Sequence, residues 1–180
     1  MTGYKSKKLS AESRQVMQEE MSKKDQARLE VLVAFQGVSD KFAKYIYDRK
    51  HDRERRYKSK EEENKRKEDI LFYKDTDNII AANAKYSAVD DMADLERVIR
   101  TYSWWLADVI KTADSNVNAP LGSLVMIAAE AAHGVTEQVE ECRSLLHIHI
   151  AHPDKAIARA KMIKSKPLKS YSWISAYLSD

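Results

Sequence analysis

The chain has 180 residues, 31 of them Lys or Arg and 28 Asp or Glu, for a formal net charge of +3. Only four Gly and three Pro punctuate it, which favours a few long helices over a turn-rich sheet protein. The single Cys142 excludes an intramolecular disulfide framework, and no run approaches 18 apolar residues, so neither a cystine scaffold nor a membrane span is expected.

Residues 1–9 form a basic tail too poor in apolar side chains to fold alone. The tail also lacks the apolar core of a secretory signal, so synthesis in the cytoplasm is expected. Ser10, with Glu12 and Gln15 behind it, is a candidate helix start, because a hydroxyl there accepts orphan N–H groups. Met17 and Met21, then Val31, Phe35, Val38, Phe42 and Tyr45, recur at helical steps and predict an apolar stripe. The stripe fades after Tyr47, and His51–Lys67 is charged all round. A helix there leans on pairs such as Glu61–Lys65 and Glu62–Arg66, each contributing about 0.2–0.5 kcal/mol. After Ile70-Leu71-Phe72-Tyr73, the run Asp75-Thr76-Asp77-Asn78 reads as a turn.

A new helix is predicted to begin near Ser87, with Asp90, Asp91 and Asp94 where a helix dipole favours negative charge. Met92, Leu95, Ile99, Tyr102, Leu106 and Val109 follow alternating steps of three and four, a regular apolar seam. Residues 114–118 form the connection, and Pro120 suits the first turn of the next helix, where its missing N–H costs nothing. That helix is expected to run to about Ala151 and is rich in small residues from Ala128 to Gly134. Pro153-Asp154 breaks and recaps the chain, and a basic helix continues to Lys166. Pro167 then precedes Tyr171, Trp173, Ile174, Tyr177 and Leu178. The expected architecture is all-α: a basic tail and long charged helical arm over 1–78, followed by a helical bundle over 79–180.

Charge is segregated along this plan. Residues 1–78 carry twenty basic and sixteen acidic side chains, residues 81–154 carry five basic and eleven acidic, and 155–169 carry six basic and no acid. Between Lys41 and Lys60 nine cations face three acids with no Gly or Pro. Such a segment is expected to be a solvated rod unless a polyanion covers it. Its candidate phosphate-binding residues are Lys41, Lys44, Arg49, Lys50, Arg53, Arg55, Arg56, Lys58 and Lys60, joined by Lys5, Lys7 and Lys8 of the tail. Lys44, Arg49, Arg53, Arg56 and Lys60 are stepped by three to five, so much of the charge is expected to share a face. Lys155, Arg159, Lys161, Lys164, Lys166 and Lys169 form a candidate second basic face, for phosphate or for the acidic region of a neighbouring copy.

Other motifs favour plainer roles. His147, His149 and His152 lack the convergence that a zinc site needs, since residues 147 and 149 point about 200° apart on a helix. Trp104 and Trp105 are about 100° apart, so one is expected in the core and the other toward a partner. Cys142 falls among core-facing positions and reads as a small buried hydrophobe. Glu61-Glu62-Glu63 and Glu68-Asp69 lie where a buried metal site is hardest to build. No nucleophile elbow or phosphate-binding Gly loop is present, so no enzyme, metal, cofactor or small-molecule substrate is expected, and membrane contact is not indicated.

The basic tail, the long charged helix and the C-terminal helical bundle together resemble the major coat proteins of filamentous archaeal double-stranded DNA viruses, the rod-shaped and lipothrix-like groups. The scarcity of Asn, Gln and Gly beside abundant Lys, Glu, Ile and Tyr is also a hyperthermophile composition. The resemblance implies a virion subunit repeated along linear DNA. Its N-terminal helices would wrap the duplex without sequence preference, and copies would associate with one another and with a paralogous coat subunit. The rival expectations are a small helical subunit of a ribonucleoprotein or DNA-packaging complex, of CRISPR small-subunit or small-terminase type, and a coiled-coil adaptor pairing in trans through Val31, Phe35, Val38 and Phe42.

Overall fold

The structure, a computed structural model, describes residues 12–13, 22–56, 66–116 and 123–168. Among them are five α-helices, a short 3-10 turn and no strand: α1 (Lys23–Arg56), α2 (Arg66–Ser87), the 3-10 turn Met92–Asp94, α3 (Leu95–Asp114), α4 (Leu124–Ala151) and α5 (Pro153–Ser165). The protein is all-α, as expected.

The 34-residue α1 is the centre of the molecule. It starts where the Ser22 hydroxyl accepts the Asp25 N–H (3.4 Å) and donates to the Asp25 carboxylate (3.0 Å), satisfying an orphan donor of the first turn. From Ala27 to Ile46 its side chains are buried on several sides, not along one stripe. Ala27, Leu29, Val31, Ala34, Phe35, Val38, Phe42, Ala43 and Ile46 have no exposed surface. α1 packs along both α4 and α5 and also against α2. The Lys23–Asp154 ion pair at one end, and the bond from Lys41 to the Ile163 carbonyl further along, show that α1 and α5 run parallel. α4 returns antiparallel to α3, since Ser103 meets Glu140 while Ala113 clusters with Met126 and Ala129.

These contacts correct several expectations. Val31, Phe35, Val38 and Phe42 are fully buried within one chain, so they are not free to pair in trans. The boundary expected at 78/79 falls inside α2, and α1 shares one core with α3, α4 and α5. Asp75-Thr76-Asp77-Asn78 is helical, not a turn: Thr76 is buried and Asp77 accepts the Lys50 ammonium at 2.9 Å, tertiary contacts that override turn propensity. Ser87 ends α2 instead of starting a helix, its hydroxyl donating to the Asn83 carbonyl (2.8 Å). The next helix begins at Leu95 after Asp91 has capped the 3-10 turn.

Other expectations hold. Leu95, Ile99, Tyr102 and Leu106 form the buried seam of α3, flanked by the half-buried Met92 and Val109. α4 ends at Ala151 because His152 precedes Pro153, whose ring disfavours a helical conformation before it. Pro153 then opens α5 with Asp154 in the first turn. Trp105 enters the core between Phe42 and Tyr86, each 5.3 Å away centroid to centroid, while Trp104 faces solvent. Cys142 is buried, and burial pushes its thiol up to about 12. The expected start at Ser10, the Met17–Met21 stripe, the Glu61–Lys65 and Glu62–Arg66 pairs, Pro120 and the Tyr171–Leu178 aromatics all fall wholly or partly outside the described residues.

Candidate nucleic-acid interface

The cations predicted on one rod separate into three environments. Lys41 and Lys50 face inward, which corrects their assignment as phosphate ligands. The Lys41 ammonium donates to Gln138 Oε1 (2.8 Å) and to the Ile163 carbonyl (2.9 Å), placing positive charge at the negative end of the α5 dipole. Burial draws its pKa below the ordinary lysine value; the Cys142 sulfur opposes that shift and the nearby Lys166 charge adds to it. Lys50 is 4% exposed and donates to Asp77 of α2 (2.9 Å). Both ammonium groups hold helices together.

Lys44 and Arg49 are exposed on α1, but five residues place them about 140° apart, so they do not share a face. Arg49 lies over the Tyr45 ring, 5.0 Å from its centroid, and donates to the Tyr45 hydroxyl (3.0 Å). That hydroxyl is pushed up to about 12, by burial first and then by its bond with Glu130, with Arg49 pulling the other way. The helical backbone continues through Arg53, Arg55 and Arg56, whose side chains lie outside the described residues, as do Lys58, Lys60, Lys5, Lys7, Lys8 and Lys169.

The second basic face is the one the structure presents. Ala156, Ala160 and Ile163 turn α5 onto the core, leaving Lys155, Arg159, Lys161, Lys164 and Lys166 exposed. Helical spacing splits them. Lys155, Arg159 and Lys166 share a stripe with the exposed Met162 on the side of α4, where Lys166 pairs with Glu141 at 3.6 Å. Lys164 lies on the side of α1, where a Cβ on Gly37 would meet its Cγ at 3.8 Å, and Lys161 is directed between the two sides, away from the core. Lys44 extends this border two turns beyond Gly37. Sequence periodicity joins Lys44 to Arg49; helical spacing instead puts Lys44 on the side of α1 that carries Gly37.

His149 is turned inward, where burial lowers its pKa, while His147 and His152 are exposed. Among the described residues no group of three His, Cys, Asp or Glu side chains is placed to hold a metal ion, and no helix is long and apolar enough to cross a membrane. The features that sequence reasoning missed are Gln138 and the Ile163 carbonyl as partners of Lys41, and Arg100 stacked on Trp104. The first carries no local signal; the second was visible as an Arg and a Trp four residues apart on one helix. The chain matches no family model, no curated protein and no solved structure.

Proposed function

We propose that this protein is a non-enzymatic, nucleic-acid-coating structural protein that holds double-stranded DNA by its phosphate backbone, without reading its sequence, as a virion coat subunit repeated along the duplex. The observation that carries this is α5. Between residues 155 and 166 it offers five exposed cations and no acid, and Lys155, Arg159, Lys161 and Lys164 have no ion pair among the described residues. A rigid helix holding ammonium and guanidinium groups in solvent is suited to neutralising phosphates and releasing their counterions. Lys44 widens the face, and the Arg53–Arg56 segment of α1 continues the same charge. Each contact is weak, and repetition of the subunit along DNA multiplies them.

The test is fluorescence anisotropy of the full chain with a mixed-sequence duplex over a salt series. Affinity is expected to fall steeply with salt, each phosphate contact contributing about 0.9 to the log–log slope. Lys161→Glu/Lys164→Glu is expected to lower affinity at least about tenfold and to flatten the slope by about two contacts. Salt-insensitive binding, undetectable binding, or an unchanged slope in the double variant would overturn the proposal.

A further inference from the structure

The last turn of α5 carries part of the basic face, and its backbone cannot satisfy itself. A helix leaves its last four carbonyls without an intrahelical donor, and Pro167, directly after the cap residue Lys166, supplies no N–H. The Lys166 N–H reaches back to the Met162 and Ile163 carbonyls at 3.2 and 3.1 Å. α5 has only 13 residues, and of its buried Ala156, Ala160 and Ile163 the last alone lies in that turn. A helix this short is marginal in water without tertiary support.

The support comes from two other helices. Lys41 of α1 donates to the Ile163 carbonyl (2.9 Å) and to Gln138 Oε1 of α4 (2.8 Å). The Gln138 amide in turn donates to the Pro167 carbonyl (3.1 Å). One lysine and one glutamine thus bind carbonyls on both sides of the point where α5 stops, and each fixes the other. Gln138 is buried, so losing a partner there strands a polar atom away from water. Gly37, one turn before Lys41 on α1, faces the same stretch, since a Cβ there would meet the Lys164 Cγ at 3.8 Å. The Lys166–Glu141 pair at 3.6 Å is partly exposed, and such pairs contribute little. Lys161, Lys164 and Lys166 stand in or beside this turn, so their placement depends on its staying helical.

We propose that Lys41 and Gln138 form an internal cap, supplied by the core, that holds the end of α5 helical and thereby positions Lys161, Lys164 and Lys166 for phosphate. Both are positioning residues for the nucleic-acid reading on which this rests, and neither touches phosphate itself. A loosened end would keep its cations. Only the fraction of molecules with the turn formed would present them together, and apparent affinity falls by that fraction.

Amide hydrogen exchange of the full chain without DNA tests the cap. Lys41→Met removes both lysine donations, whereas Gln138→Glu removes only the bond to Pro167 and keeps an acceptor for Lys41. In each variant the Lys164, Ser165 and Lys166 amides are expected to exchange at least about threefold faster relative to those of α3. Fluorescence anisotropy with the mixed-sequence duplex tests the positioning. Affinity is expected to fall about three- to tenfold with the wild-type salt slope, because the same cations still release the same counterions. A purely structural pair would leave the affinity of the folded protein unchanged, and a lysine in contact with phosphate would flatten the slope by about one contact. Either result, or exchange at the end of α5 that does not quicken relative to α3, would overturn the proposal. Undetectable duplex binding by the wild type would remove the nucleic-acid reading and the positioning role with it, while the exchange rates, measured without DNA, still decide the cap. Unchanged circular dichroism shows that the variants fold, and Gln138→Glu, the milder change, carries the test if Lys41→Met does not.

Discussion

Asn83 joins three helices through one side chain. Its amide donates to the Ser39 carbonyl and hydroxyl of α1, both at 3.1 Å, and its Oδ1 accepts the Tyr102 hydroxyl of α3 at 2.5 Å; all three residues are buried. Removing one member strands polar atoms away from water, at roughly 1–3 kcal/mol for each group left unsatisfied. Asn83→Ala is therefore expected to cost about 2–4 kcal/mol in urea unfolding, and Tyr102→Phe about 1–3 kcal/mol, since it leaves the Asn83 carbonyl oxygen short of a donor. The double variant should lose less than the sum, by on the order of 1 kcal/mol, because the second change removes an already orphaned partner. Strict additivity would show that the hydroxyl–amide bond contributes nothing. None of this network is legible in the sequence, where Asn83 follows two alanines and looks like a surface residue. The same holds for the lysines. Lys41, Lys44 and Lys50 are alike in type and local charge, yet only Lys44 reaches solvent freely, because the partners of the other two, Gln138 with the Ile163 carbonyl and Asp77, come from distant parts of the chain.

At the scale of helices, Gly37 sits inside the long α1 on the side that faces the end of α5. No positive backbone angle requires it, and a Cβ built there would meet only the Lys164 Cγ, at 3.8 Å, an ordinary van der Waals distance. Glycine in a helix interior costs about 0.5–1 kcal/mol relative to alanine through backbone entropy. Gly37→Ala is accordingly expected to stabilise the protein by about 0.5–1 kcal/mol and to raise Tm by a few degrees in calorimetry. A lowered Tm would mean that α1 and α5 approach more closely in solution than here. Helix existence was largely legible: the alternating seam of α3, the Pro153 break and the long uninterrupted α1 all follow from spacing and punctuation. The start of α3 and the course of α2 were not. Asp75-Thr76-Asp77-Asn78 is turn-forming locally, and only burial of Thr76 and the Lys50–Asp77 pair hold it helical. The start expected near Ser87 is instead the end of α2, and of the aspartates placed in the early turns of the new helix Asp91 caps the 3-10 turn that precedes it.

The whole molecule differs most from what composition suggests. Charge density makes residues 1–78 look like an arm appended to a bundle, with the apolar stripe of α1 belonging to that arm. That stripe is the middle of the core, because the outer helices all have their apolar faces turned toward it or toward one another. The basic stretch of α1 is thus mixed up to Lys50, with Lys41 and Lys50 turned to partners on other helices and Lys44 and Arg49 exposed. Site legibility follows the same division. The α5 cations are legible because no acid interrupts residues 155–169, whereas the cations of α1 mix the exposed Lys44 with Lys41 and Lys50, which are turned to partners on other helices. A fragment test separates a two-part chain from a single cooperative unit. Residues 79–180 lack Leu29, Val31, Phe35, Val38, Phe42 and Ile46, all fully buried in the intact chain. Burying six such side chains contributes on the order of 9–18 kcal/mol, as much as the entire net stability of a typical domain. The isolated fragment 79–180 is therefore expected to bind a hydrophobic dye and to melt without a cooperative transition, and a peptide of residues 22–56 added in trans should suppress the dye signal. The full chain should unfold in one transition whether followed by circular dichroism or by Trp105 burial. A fragment that melts cooperatively by itself would restore the two-part chain and remove α1 from the folding unit.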